Sequence, residues 1–130
     1  MKLSVLLSIA AIYMALVGLG LIFAPQAFGV GAVPADASPA LIAYLRLWGS
    51  PLLGIAVLNW TTRNAEPSSA RDAVILGNIV GFAGIAVLDI WGSFAAGRPT
   101  HKVFAVIHLL FAIAFIWVGR RSRSIKERRP

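Results

Sequence analysis

The chain contains no cysteine. That excludes a thiolate nucleophile, a disulfide and a thiol-held metal. Charge is scarce as well. Asp, Glu, Lys and Arg make up 13% of the residues, about half the share of a typical soluble domain. Only five residues are acidic, and only Asp89 lies inside an apolar run. No glycine-rich phosphate loop is present, because the glycines fall within or beside apolar runs. Two histidines seven apart plus one aspartate lack the spacing of a zinc site. No spacing supports a Ser-His-Asp set. The chain is therefore read as a non-enzyme with no cofactor of its own.

What the chain has in excess is apolar sequence. Of its 130 residues, 58% are hydrophobic, and the mean hydropathy is +0.81. The excess is gathered in four runs, at 3–23, 40–60, 73–95 and 101–119. A helix of ~20 residues at ~1.5 Å per residue crosses the ~30 Å core of a bilayer. The expected fold is all-α, a four-transmembrane-helix bundle with short loops, in one domain over 1–130. Residues 120–130 form a basic tail. The first run is longer than the roughly 7–15 residues of a signal-peptide core, so it is read as an uncleaved helix.

Small residues mark faces on these spans. Ser4, Ser8, Ala11 and Ala15 form one stripe, and Gly49, Ser50 and Gly54 surround Pro51 in the second run. Gly77 and Gly81 form a small-x-x-x-small pair in the third run. Such residues let membrane helices approach closely, so Gly49, Gly77 and Gly81 are expected at helix contacts. The first loop, with Pro25, Pro34, Pro39, Gly29 and Gly31, is read as helix-breaking. Ser69 is read as a cap for the third span. Asn59-Trp60-Thr61 matches a glycosylation triplet but sits at the membrane edge, on the side assigned to the cytoplasm, and is discounted.

Orientation follows from the positive charges. Four spans put both termini and the second loop on one side. That side carries nine basic residues: Lys2, Arg63, Arg71, Arg120, Arg121, Arg123, Lys126, Arg128 and Arg129. The other side carries two, Arg98 and Lys102. The positive-inside rule makes the termini cytoplasmic. The tail can also attract anionic lipid headgroups. Because the basic residues are concentrated there, nucleic acid is not an expected partner.

Three ionisable residues lie inside the spans. Arg46 is six residues in from Ala40, Asp89 six in from Ala95, and His108 seven in from His101. Each is ~9–10 Å below the outer end of its helix. An unpaired charge at that depth is costly, and an Arg fork suits a carboxylate. Arg46, Asp89 and His108 are therefore expected to meet. The plainer reading is an ion pair that fixes helix register. The sharper one is a ligand site or proton relay. Asn78 shares a helix face with Asp89, eleven residues on, and is read as an interhelical hydrogen-bonding residue. His101, Ala105, His108 and Ala112 form one face of the fourth span, with His101 read as solvated near the interface.

The stretch Tyr44-Leu45-Arg46-Leu47-Trp48-Gly49, with Gly54, Asp89 and His108, resembles the DoxX-like group of small four-helix bacterial membrane proteins. The resemblance implies four helices, an interior Arg46 and the bacterial cytoplasmic membrane. The group's named member is a subunit of a membrane thiosulfate:quinone oxidoreductase, which implies a quinone-linked redox accessory role as one option. From the residues themselves, the expected function is an accessory subunit or a binder of a small or lipid-like ligand. Its partners would be membrane lipids, another membrane protein or a second copy. The alternative is a small proton-coupled carrier. Four-helix multidrug carriers of similar length rely on an acid in the first span, and this chain has none there.

The charge bias generates a direct test of orientation. A reporter active only in the cytoplasm, fused after Pro130, should be active. A reporter active only after export should be silent at that position, and the opposite pattern would invert the topology.

Overall fold

The computed structural model describes residues 1–28, 33–95 and 99–127. Among these residues the chain is helical and has no strand. The helices are α1 (Leu3–Phe23), α2 (Pro25–Phe28), α3 (Pro39–Thr62), α4 (Ser69–Ala95) and α5 (Pro99–Glu127). Four of them are long and apolar enough to cross a membrane: α1, α3, α4 and the His101–Arg121 part of α5. Their lengths match the four apolar runs because a span must satisfy every backbone group internally.

The ends follow local chemistry. The Ser38 hydroxyl accepts from the Leu41 amide at 3.2 Å, capping α3, and Pro39 opens the helix where no amide partner is required. Ser68, one residue before the expected Ser69, caps α4. Its Oγ accepts from the Arg71 amide at 3.3 Å and its carbonyl from the Asp72 amide at 3.0 Å. The first loop also departs from expectation, because α2 forms directly after α1. Pro25 stands in the first turn of α2, where proline loses no helical bond. Gly29, Val30, Gly31, Gly97, Arg98, Arg128 and Arg129 lie outside the described residues.

By packing, the chain divides into two units, residues 7–61 and residues 1–6 with 62–130. In the first, α1 meets α3 at two glycines. A Cβ on Gly49 would stand 2.5 Å from the Gly18 carbonyl oxygen, and one on Gly18 2.9 Å from the Gly49 oxygen. The two backbones touch because neither residue has a side chain. Toward the other end of the pair, Ala11, Ala15, Leu53, Ala56 and Trp60 line an apolar groove of about 360 Å³. Phe28 of α2 folds back onto Gly20.

In the second unit, α4 and α5 pack along matching lines. The buried line of α4 is Ile75, Asn78, Phe82 and Ala86. That of α5 is Ala105, His108, Ala112, Phe115 and Val118. Both lines step by three and four, the period of one helical face. Phe82 stacks on Phe111 with centroids 4.4 Å apart, and its ring is also near Phe115. Outward positions such as Val80, Val87, Leu88 and Leu110 stay exposed. Lipid tails are as apolar as these side chains, so nothing drives them inward.

Gly77 and Gly81 take no part in the α4–α5 contact. Both are exposed, and a Cβ on either meets nothing within 4 Å. The α4 packing line runs through Asn78 and Phe82, which turns these glycines outward.

The two kinds of glycine should separate in a thermal melt in detergent. Gly49→Ala presses a methyl on a backbone oxygen and should cost about 1–3 kcal/mol by overpacking, beyond any gain in helix propensity. Gly81→Ala should melt at or above the wild-type temperature. Equal melting of both variants would remove the α1–α3 glycine contact.

Candidate functional site

The polar site belongs to the α4–α5 unit. Asp89 is six residues from the end of α4, and His108 is nine residues into α5. The His108 Nδ1–H donates to the Asp89 carboxylate, with Nδ1···Oδ2 at 2.6 Å. That is at the short end for a hydrogen bond to a carboxylate, the class of bond that is roughly twice as strong as a neutral one. The side chains are only 15% (Asp89) and 9% (His108) exposed.

The surroundings of the pair are aromatic. Phe104 stacks against the His108 ring one turn before it, with centroids 6.2 Å apart. Phe82 of α4 lies 6.0 Å away. Rings on both sides exclude water and fix the imidazole plane. In such a setting a polar contact is electrostatically stronger than in water, and an unmade one is more costly.

His101 is the third member, and the sequence alone missed it. Its Nδ1 stands 3.7 Å from Asp89 Oδ1, the carboxylate oxygen opposite the one His108 holds. His101 Nδ1 is buried and has no hydrogen-bond partner, although the side chain as a whole is 24% exposed. Gly92 makes the approach possible. A Cβ on Gly92 would come within 2.8 Å of His101 Nδ1. One carboxylate is thus flanked by two imidazoles from the same helix face. The available signal was the seven-residue spacing of His101 and His108, which puts both on the face that meets α4.

The remaining sequence candidates fall elsewhere. Arg46 is on α3, in the other unit, and is exposed beside Tyr44, Leu47 and Trp48. Asn78 is buried on the Asp89 face of α4, and its side-chain amide donates to the Val74 carbonyl at 2.8 Å, within its own helix. Gly49 sits at the α1–α3 contact, and Gly77 and Gly81 belong to an exposed surface. Asn59, fully buried near the inner end of α3, was read only as part of a discounted triplet. Among the described residues, no three His, Asp or Glu side chains converge on a point that would hold a metal.

At the opposite end of the same unit, α4 and α5 line a half-open pocket of about 170 Å³. Ile75, Leu76, Ile79 and Ile116 form its apolar walls, with Asp72 and Arg120 at the polar edge. Next to it, the Arg121 guanidinium lies 4.6 Å from the centroid of the Trp117 ring. An aromatic–cation pair of this kind suits the headgroup level of a bilayer.

Compared with protein-family models, curated proteins and solved structures, the chain matches none. What the site can do therefore rests on its own chemistry. It holds three groups able to give or take a proton, in a space that otherwise offers only rings and aliphatic chains.

A double-mutant cycle tests the pair. Asp89→Leu and His108→Leu should each lower stability, because each leaves a buried polar partner stranded, at a cost of about 1–3 kcal/mol. The double variant should recover part of the loss, giving a coupling of about 0.5–3 kcal/mol. Strict additivity in detergent melts would show that the two side chains do not support one another.

Proposed function

We propose that this chain is a small accessory protein of the bacterial cytoplasmic membrane, without catalytic chemistry of its own, that binds a small or lipid-like ligand at its outer polar cluster. The observation that supports this reading is the Asp89–His108 contact of 2.6 Å, placed well inside two apolar helices. Ionisable groups at membrane depth are expensive, and they tend to mark binding sites and pathways. The apolar groove between α1 and α3 offers a second kind of surface, suited to an acyl chain.

Arg46 takes the role of anion partner in this proposal. It stands seven residues past Pro39, at ~10 Å below the outer end of α3. A guanidinium at that depth needs a carboxylate or a phosphate, which the headgroup of a ligand can supply. The exposed Tyr44, Leu47 and Trp48 beside it suit a lipid or a neighbouring membrane protein. The cytoplasmic termini and the lipid-attracting tail belong to the same proposal, resting on the charge bias. So does membership of the DoxX-like group, which rests on residues 44–49 and the positions of Asp89 and His108.

A second reading is favoured by one observation. A carboxylate between two imidazoles is equipped to hold and pass a proton, which suits a proton-coupled carrier. A quinone-linked accessory role would use the same groups, since quinone reduction takes up protons. The redox centre would then belong to a partner.

Native mass spectrometry after mild extraction tests the main reading. The wild-type chain should carry a stoichiometric lipid-like or quinone-like adduct, or a partner subunit, that Asp89→Asn or Arg46→Gln loses while remaining folded. A bare wild-type chain would sink the ligand reading, as would an adduct indifferent to both substitutions.

A further inference from the structure

Three observations at the outer end of α4 and α5 are not explained by a simple Asp89–His108 pair. His101 is brought to the second oxygen of the same carboxylate, at 3.7 Å from Oδ1. Its Nδ1 is buried there without a hydrogen-bond partner. A side-chain-free residue, Gly92, stands where any Cβ would press on that nitrogen at 2.8 Å. A histidine placed only for solubility would turn its ring to water, as this one's position near the helix end allows.

The three side chains are also graded in depth. His101 is two residues into α5, Asp89 six residues from the end of α4, and His108 nine residues into α5. At ~1.5 Å per residue these are ~3, ~9 and ~14 Å below their helix ends. Exposure falls in the same order: 24%, 15% and 9%. Each neighbour in the series faces the next through a nitrogen and an oxygen.

We propose that His101, Asp89 and His108 form a proton-entry path from the outer surface to the buried imidazole, with His101 as the port and Gly92 as the notch that seats it. It rests on the reading that this cluster holds and passes a proton, and it adds the order of the groups and the residue at which the proton enters. The steps balance. The N–H bond at His101 Nδ1 breaks as an O–H bond forms on Asp89 Oδ1, and water at the surface returns a proton to the other ring nitrogen of His101. With His108 carrying its hydrogen on Nε2, the Asp89 carboxyl group turns to present that proton to the bare Nδ1 across the 2.6 Å contact; the O–H bond breaks as an N–H bond forms, and the new Nδ1–H donates to the carboxylate. The first step requires the His101 ring to close the 3.7 Å gap by about 1 Å to hydrogen-bonding distance. Within the α4–α5 unit the nearby cation is the exposed Lys102. α1 carries no charged side chain after Lys2.

Imidazole nitrogen NMR of the full chain in lipid bicelles, followed across pH, tests the path. In the wild type the two histidines should titrate as a coupled pair, the His108 resonances showing an inflection that coincides with the titration of His101. Gly92→Ala should abolish that inflection, because the new methyl displaces His101 while all three titrating groups remain. His101→Phe should abolish it too, and Asp89→Asn should leave both histidines titrating singly. An unchanged His108 profile in Gly92→Ala and His101→Phe would overturn the proposal, even if Asp89→Asn failed to fold. The result separates from the ligand test. A retained adduct without histidine coupling keeps the ligand reading and loses the path. Coupled histidines on a chain that carries no adduct do the reverse.

Discussion

A carboxylate inside hydrocarbon must find a partner, and the geometry of the α4–α5 pair follows from how Asp89 finds its own. Its helix offers no cation at the right position. The contact therefore comes from α5, whose His108 reaches it at 2.6 Å. For that to happen the two helices must present one shared face. Along that face Phe82 of α4 stacks on Phe111 and lies near Phe115 of α5, and Ile75 lies against Gly119. Aliphatic side chains gain little by choosing protein over lipid. The polar contact and the ring stacking at Phe82 are directional, so they do more to set rotation than the many leucines and valines do.

Glycine has two distinct uses in this chain. Gly18 and Gly49 let two helix backbones touch, and Gly92 makes room for an imidazole. A methyl on Gly18 or Gly49 would collide with a backbone oxygen, and one on Gly92 would push the His101 ring aside. Gly77, Gly81 and Gly84 leave open space on the outside of α4. The same residue type at similar spacing therefore marks a contact in one helix and a bare surface in another. The difference lies in which face the polar and aromatic residues turn inward.

The outer cluster and the inner ends have different chemistry. At one end of the α4–α5 unit, His101, Asp89 and His108 lie near Phe82 and Phe104 and are graded in exposure. Toward the other end, Trp117 with Arg121 and Asp72 with Arg120 are of the kind that settles at lipid headgroups.

Much of the architecture was legible in the residues themselves. The four spans could be read because a membrane helix has a minimum length and an apolar composition, and both are properties of a continuous stretch. The buried face of α5 was legible in the spacing of Ala105, His108 and Ala112, since helical period alone puts them on one side. The common face of Asn78 and Asp89 was legible for the same reason. What periodicity could not supply was which face of one helix meets which face of another. Only the tertiary structure turned Gly77 and Gly81 outward, joined Gly18 to Gly49, and carried His101 across Gly92 to the free oxygen of Asp89. Those outcomes depend on the relative rotation of two helices, a quantity set by a few directional contacts between residues far apart in the chain.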